Sequence, residues 1–234
     1  MASSSWKQGY LDSILSLFPD DRKPTLLPRS LLSQYNQVLF RNVLFLPLIT
    51  SVKGTFVSSR EVDLLRASVY RRFNYSLSPS HSSPTVAYYN RTFRRDIANG
   101  NELFLKLKES FSIVKSIDFD GFTFDDQVRT MANLDVLVSI HGAQLSNIVF
   151  MKPRSGLIEV FNPFFFLGCY QNIALKAGLN YRSLRDTTIV GSSVNETSWN
   201  PYVNLRVNVS VDVVVNKVKE LIALLCCVCY KQGT

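Results

Sequence analysis

The sequence predicts an α/β fold built on a doubly wound parallel sheet. Three observations carry this. From Thr85 onward, apolar runs of strand length alternate with segments whose apolar residues recur every three or four positions. The alternation has the spacing of strand–helix–strand units, not of hairpins. The composition is that of a packed domain: of 234 residues 46% are hydrophobic and 19% charged, with only 10 Gly and 9 Pro.

The elements follow in order. Residues 1–80 read as a partial N-terminal lobe with its connecting segment, and residues 81–234 as one regular domain. Asn42 to Ile49 (NVLFLPLI) is a strand-length apolar run. Ser59 to Phe73 places Val62, Leu65, Val69 and Phe73 at helical spacing, with Ser59 as N-cap. Asn74 to Thr85 is rich in Ser and Pro and marks the boundary. Thr85 to Tyr89 is the first strand of the regular part, Glu102 to Phe111 a helix with Leu103, Leu105, Leu107 and Phe111 on or near one side, and Ser112 to Asp118 a second strand. Phe122 to Met131 is a helix with Thr123 as N-cap and Asp126 three residues on, an imperfect capping box because Asp replaces Glu or Gln. Asp135 to Ile140 is a buried strand that runs into His141-Gly142-Ala143 and a helix ending at Phe150. Gly156 to Phe161 is a strand, Tyr170 to Ala177 a helix, Asn180 to Leu184 a short strand and Val211 to Leu225 a closing amphipathic helix. Such a Rossmann-like sheet binds ligands outside the carboxyl ends of its strands, here just after Tyr89, Asp118, Ile140 and Phe161.

Charge and rare residues narrow the function. A net charge of +8 suits an anionic partner. His81 and His141 are the only histidines, too few for a His-rich metal site, and Cys169, Cys226, Cys227 and Cys229 lack zinc-knuckle or disulfide-framework spacing. No Gly-x-Ser-x-Gly, His-Glu-x-x-His, phosphate-loop or Gly-x-Gly-x-x-Gly motif occurs. The first ten residues have no apolar core of signal-peptide length, and Leu221 to Tyr230 is too short to cross a bilayer, so neither a signal peptide nor a membrane span is expected. A nucleic-acid partner is disfavoured, since Tyr88, Tyr89, Phe164, Phe165 and Phe166 cluster in apolar strands and turns instead of alternating with basic residues.

The candidate chemistry lies at the strand ends. His141, where a strand runs into Gly142, could donate to phosphate, or could pack a strand–helix turn. Arg91, Arg94 and Arg95 follow the first regular strand and suit bidentate diphosphate binding, or form a solvated basic loop. Asp118-Phe119-Asp120 could hold a divalent ion, or place acids at a helix start. Glu159 is a lone acid in an apolar strand and needs donors, either from protein or from ribose hydroxyls.

Taken together, Asp135 to Pro163 (DVLVSIHGAQLSNIVFMKPRSGLIEVFNP) resembles glycosyltransferase family 61, with Gln144 where the family more often has Gly. Tyr89-Asn90-Arg91 with Arg94, Arg95, Asn99 and Glu102-Leu103 is similar to that family's Arg-rich segment, and Phe124 to Val128 (FDDQV) to its Phe-x-x-Gln-Val helix start. The resemblance implies the C-terminal lobe of a GT-B-type enzyme. It also implies inverting transfer of a sugar, GlcNAc or a pentose such as xylose, from a UDP-sugar to a hydroxyl of a glycoprotein or polysaccharide acceptor. By resemblance Arg91, together with Arg94 or Arg95, would grip the diphosphate, and His141, Gly142, Ala143, Leu145 and Asn147 would form the turn facing phosphate or ribose. Glu159 would orient that turn or the ribose. Arginines and amides can stabilise the leaving UDP, so no cofactor beyond the donor is required and Asp118 and Asp120 need not be metal ligands. Family members work in the endoplasmic reticulum or Golgi lumen, usually behind a signal or anchor, and are much longer. The expectation is therefore a short chain that binds UDP and transfers poorly, or a catalytically inactive nucleotide-sugar-binding or scaffolding remnant.

Overall fold

The computed structural model describes residues 58–75, 83–89, 91, 95–191 and 205–226. All of them belong to one compact unit, Val52–Thr234. The strand expected at Asn42 to Ile49, most of the Ser/Pro-rich linker, His81, Asn90 and Arg94 lie outside the described residues.

Five strands form a parallel sheet: β1 (Thr85–Tyr89), β2 (Ile113–Ile117), β3 (Val136–Ile140), β4 (Gly156–Val160) and β5 (Asn180–Leu184), in the order β2-β1-β3-β4-β5. Parallel strands need long crossovers, and helices supply most of them. These are α2 (Gly100–Ser110), α3 (Phe124–Ala132) and α4 (Cys169–Lys176), with a 3₁₀ helix, Ala143–Phe150, between β3 and β4. Helix α1 (Ser59–Arg72) precedes β1, and α5 (Val211–Cys226) follows the last strand. The fold is α/β with a parallel sheet flanked by helices, as the sequence predicts.

Strand alternation assigns the two faces. Val86, Tyr88, Val136, Val138, Ile140, Ile158, Val160 and Leu184 join Leu103 and Leu107 of α2 and Val214, Val218 and Leu221 of α5 in one apolar cluster. Burying each of these aliphatic side chains stabilises the fold by roughly 1.5–3 kcal/mol. Leu105, expected on the same side of α2, is 60% exposed, because it lies between the Leu103 and Leu107 positions rather than on their stripe. The intervening strand residues, among them Ala87, Ser139 and Glu159, face the opposite layer.

There α1 is fastened by polar contacts. Buried Arg66 donates from Nε to the Val149 carbonyl (2.9 Å) and from Nη2 to the Ala177 carbonyl (2.9 Å), and the Tyr70 hydroxyl donates to Phe150 O at 2.6 Å. These carbonyls close the 3₁₀ helix and α4, where a helix end leaves acceptors without partners. Ser58, not Ser59, is the N-cap of α1, and it makes no side-chain capping bond.

At α3 the capping box is complete despite the shorter acid. Asp126 N donates to Thr123 Oγ1 (3.2 Å) and Thr123 N to Asp126 Oδ2 (3.1 Å). Hydrogen bonds from Thr123, side chain first, hold the Asp126 carboxyl below its ordinary range. A second, antiparallel sheet that the sequence does not reveal pairs β6 (Thr187–Val190) with β7 (Arg206–Val209).

Candidate functional site

In this strand order β1 lies between β2 and β3, with α2 on one face of the sheet and α3 on the other. The chain's winding reverses there, and in sheets of this kind ligands lie outside the strand ends at such a point, here where β1 and β3 end. Arg91 follows β1 by two residues, and His141 and Gly142 follow β3 directly. The sheet thus brings together groups 50 residues apart in sequence.

Gly142 has an extended backbone (φ 179°) that any residue could adopt. What it provides is room. A Cβ there would sit 3.2 Å from Arg91 Nη1, 3.4 Å from Arg91 Cδ and 3.4 Å from Gln144 Oε1. The half-buried Arg91 arm therefore lies across the His-Gly-Ala turn. Arg95 is the second guanidinium: its backbone is left-handed (φ 55°) and its Cζ stands 5.7 Å from the Phe165 ring centre. Burial lowers the proton affinity of Arg95, and the positive charge of Arg91 lowers it further. Arg95 Nε is buried and makes no hydrogen bond among the described residues. Two like charges this close, one with an unsatisfied donor, form an environment that an anion would stabilise.

The loop carrying Arg95 is fixed from the far end of the chain. Arg206 forks onto Asp96 with bonds of 2.8, 3.0 and 2.9 Å. Backbone bonds join Ala98 N to Val207 O and Val207 N to Asp96 O. The Asn99 amide pairs with both backbone groups of Val209, at 2.9 and 3.0 Å. Asn99, part of the Arg-rich segment, is thus a strand anchor in this conformation.

His141 is 4% exposed and Glu159 fully buried. His141 Nδ1 lies 2.6 Å from Glu159 Oε1, and the Tyr181 hydroxyl donates to Glu159 Oε2 at 2.7 Å. The donors that Glu159 needs come from protein. The imidazole is enclosed by Phe161 (centres 5.0 Å apart), Phe165 (5.2 Å) and Tyr170 (5.2 Å). Burial, then the charges of Cys169 and Glu159, push the Tyr170 phenol up to about 12, while Arg95 and Arg91 pull the other way. Tyr170 therefore stays a neutral donor beside the two arginines.

The remaining expected residues divide by surroundings. Ala143 is exposed at the start of the 3₁₀ helix, whereas the Leu145 side chain is buried in the core. Asn147 donates to Gln127 Oε1 at 2.9 Å, tying the 3₁₀ helix to the Phe-x-x-Gln-Val start of α3. Asp118 and Asp120 are exposed, and Asp120 N donates to Asp118 Oδ1 in a local turn. Among the described residues no group of three or more His, Cys, Asp or Glu could hold a metal ion. A hollow of about 610 Å³ along α2 and the first turn of α5, lined by Asn99, Glu102, Lys106 and Asp212 among others, contains none of the arginines or His141.

Sequence reasoning missed Tyr170 and Tyr181. A signal for Tyr181 existed: an acid inside a strand needs donors, and β5 places a tyrosine on the same face one strand away.

Comparison with known proteins agrees with this picture. Residues 11–158, more than half of the chain, match the Glycosyltransferase 61 family. The chain is 28% identical over 106 residues to a Xenopus laevis protein O-linked-mannose β-1,4-N-acetylglucosaminyltransferase 2, covering 45% of this chain and 18% of the relative. It is 32% identical over 100 residues to the Homo sapiens protein of that name, covering 41% and 17%. It is 24% identical over 168 residues to the EGF domain-specific O-linked N-acetylglucosamine transferase of Drosophila melanogaster, covering 66% and 32%. The chain spans less than a third of the length of these relatives. With Arg91 and the His-Gly-Ala turn at the carboxyl ends of adjacent strands, and the match covering β1 to β3 and the start of β4, the chain belongs to glycosyltransferase family 61.

Proposed function

We propose that the carboxyl ends of β1 and β3 hold the diphosphate of a UDP-sugar, and that this domain is the donor side of a GT-B-type, inverting glycosyltransferase. The names of the relatives favour N-acetylglucosamine as the sugar and a protein-linked hydroxyl as the acceptor, and the family resemblance favours the lumen of the endoplasmic reticulum or Golgi. No helix among the described residues is long and apolar enough to cross a membrane.

The observation that carries the reading is the Arg91 arm laid across Gly142 with Arg95 beside it, at the switch point of the sheet. In the transfer an acceptor oxygen attacks the anomeric carbon, the bond to the diphosphate breaks, and the acceptor proton leaves to a base. Negative charge grows on the departing UDP. Positioned arginines and a histidine stabilise it without reorganising, and the aromatic wall of Phe161, Phe165 and Tyr170 keeps water away and strengthens each interaction.

Titration of UDP and uridine against wild type and Arg91→Ala tests this. A charge-assisted hydrogen bond is worth roughly 1.5–3 kcal/mol, so UDP binding should weaken about tenfold or more while uridine binding barely changes. Equal losses for the two ligands would remove Arg91 from the diphosphate site. Transfer of labelled sugar from UDP-N-acetylglucosamine to a peptide hydroxyl separates an active transferase from a domain that only holds the nucleotide.

A further inference from the structure

We propose that Tyr181 is a positioning residue: acting through Glu159, it keeps Nδ1 of His141 protonated and leaves Nε2 to face the phosphate of the bound nucleotide. This rests on the diphosphate reading above and adds to it a residue three strands away from the arginines.

Three adjacent strands supply the three groups. His141 follows β3, Glu159 lies in β4 and Tyr181 in β5, and alternation turns all three toward the same face of the sheet. The chain of bonds is short: 2.7 Å from the Tyr181 hydroxyl to Oε2, and 2.6 Å from Oε1 to Nδ1. A single proton lies between Oε1 and Nδ1, and its place decides what the ring presents. On Nδ1 it leaves an ionised carboxylate and frees Nε2 to take a second proton, from water or from the arriving phosphate itself. On Glu159 it leaves a neutral acid and a ring fixed as the Nε2–H tautomer.

Tyr181 decides between the two. A donor to a carboxylate favours its ionised form, and a fully buried Glu159 has few other ways to carry a charge. The phenol remains a donor at any ordinary pH, since burial first, and then the charge and hydrogen bond of Glu159, push it well above its usual range. Ring rotation is blocked by Phe161, Phe165 and Tyr170, so the ring keeps Nδ1 against the carboxylate. Tyr181 itself needs no contact with the ligand.

The chain has only two histidines, so ¹⁵N-histidine labelling of the full chain gives two rings to follow, and His141→Ala assigns them. In the ligand-free wild type, Nδ1 of His141 should be protonated. Tyr181→Phe should melt as cooperatively as wild type, move Nδ1 toward the unprotonated form, and weaken UDP binding about three- to tenfold with uridine unaffected. An unprotonated Nδ1 in the wild type overturns the proposal without any variant. So does an unchanged Nδ1 in Tyr181→Phe, or a changed Nδ1 with UDP affinity intact. If the wild type fails to bind UDP, the diphosphate reading falls and the positioning role falls with it. The Nδ1 signal still reports the hydrogen-bond chain in that case, so the two failures are told apart.

Discussion

At Gly142 the constraint is space and not backbone angle. Alanine can adopt its extended conformation, but the added Cβ would meet the end of the Arg91 arm at 3.2 Å. A flexible side chain can move a few tenths of an ångström at little cost to the fold. Gly142→Ala should therefore keep its melting temperature within a few degrees and lose about three- to tenfold in UDP affinity, as a displaced guanidinium forfeits part of its bonding. A scanning melt and a UDP titration on the same sample check this, and a large drop in melting temperature with unchanged affinity would reverse the reading. The places of Arg91, His141 and Gly142 at strand ends were legible because the strands before them read directly from their apolar runs. Tyr170 was not, because its place beside His141 depends on how α4 packs after β4.

At the scale of elements, α1 shows how a helix can be bound by polar contacts as well as by an apolar stripe. Val62 and Val69 are fully buried, yet Arg66 between them is buried too, and donates to the carbonyls of Val149 and Ala177. Arg66→Met would keep most of the apolar stem and strand two buried acceptors. The expected loss is about 2–4 kcal/mol, read as a lower urea midpoint. An unchanged midpoint would mean that water replaces the guanidinium freely. Most elements were legible from the sequence: β1 and β5 run over the residues expected of them, and α2 to α5 differ from expectation only at their ends. The segment after Gly142 is a 3₁₀ helix of eight residues, which periodicity alone does not distinguish from an α-helix. The strand β7 escaped notice because its alternation, Val207 and Val209 buried between exposed neighbours, is only four residues long.

For the molecule as a whole, the last part of the chain completes the first. Val207 and Val209 of β7 and Val214, Val215, Val218 and Leu221 of α5 belong to the same cluster as β1 and β3. A Cβ on Gly156 at the start of β4 would lie 2.8 Å from Leu221 Cδ1, so closely does α5 seat on the sheet. The Arg95 loop also takes its shape from Arg206 and Val207. A chain ended after Gly191 should therefore lose its cooperative melt and, with it, UDP binding. Circular dichroism on heating would show this, and a sharp transition with retained affinity would show that residues 192–234 are dispensable. The amphipathic pattern of α5 was visible in the sequence. Its partner was not, because Leu221 seats against Gly156, about 65 positions earlier in the chain.

Glu159 has a second consequence, for how the sheet is assembled. On β4 it alternates with Ile158 and Val160, which point into the dry cluster formed with α2 and α5. If β4 slipped by one residue against its neighbours, the carboxylate would enter that cluster, away from Tyr181 and His141. An acid buried without partners costs several kcal/mol, a large fraction of a domain's total stability. A sheet paired one residue out of register is thereby strongly disfavoured. The residue that joins His141 to Tyr181 also proofreads the pairing of the strands that carry them.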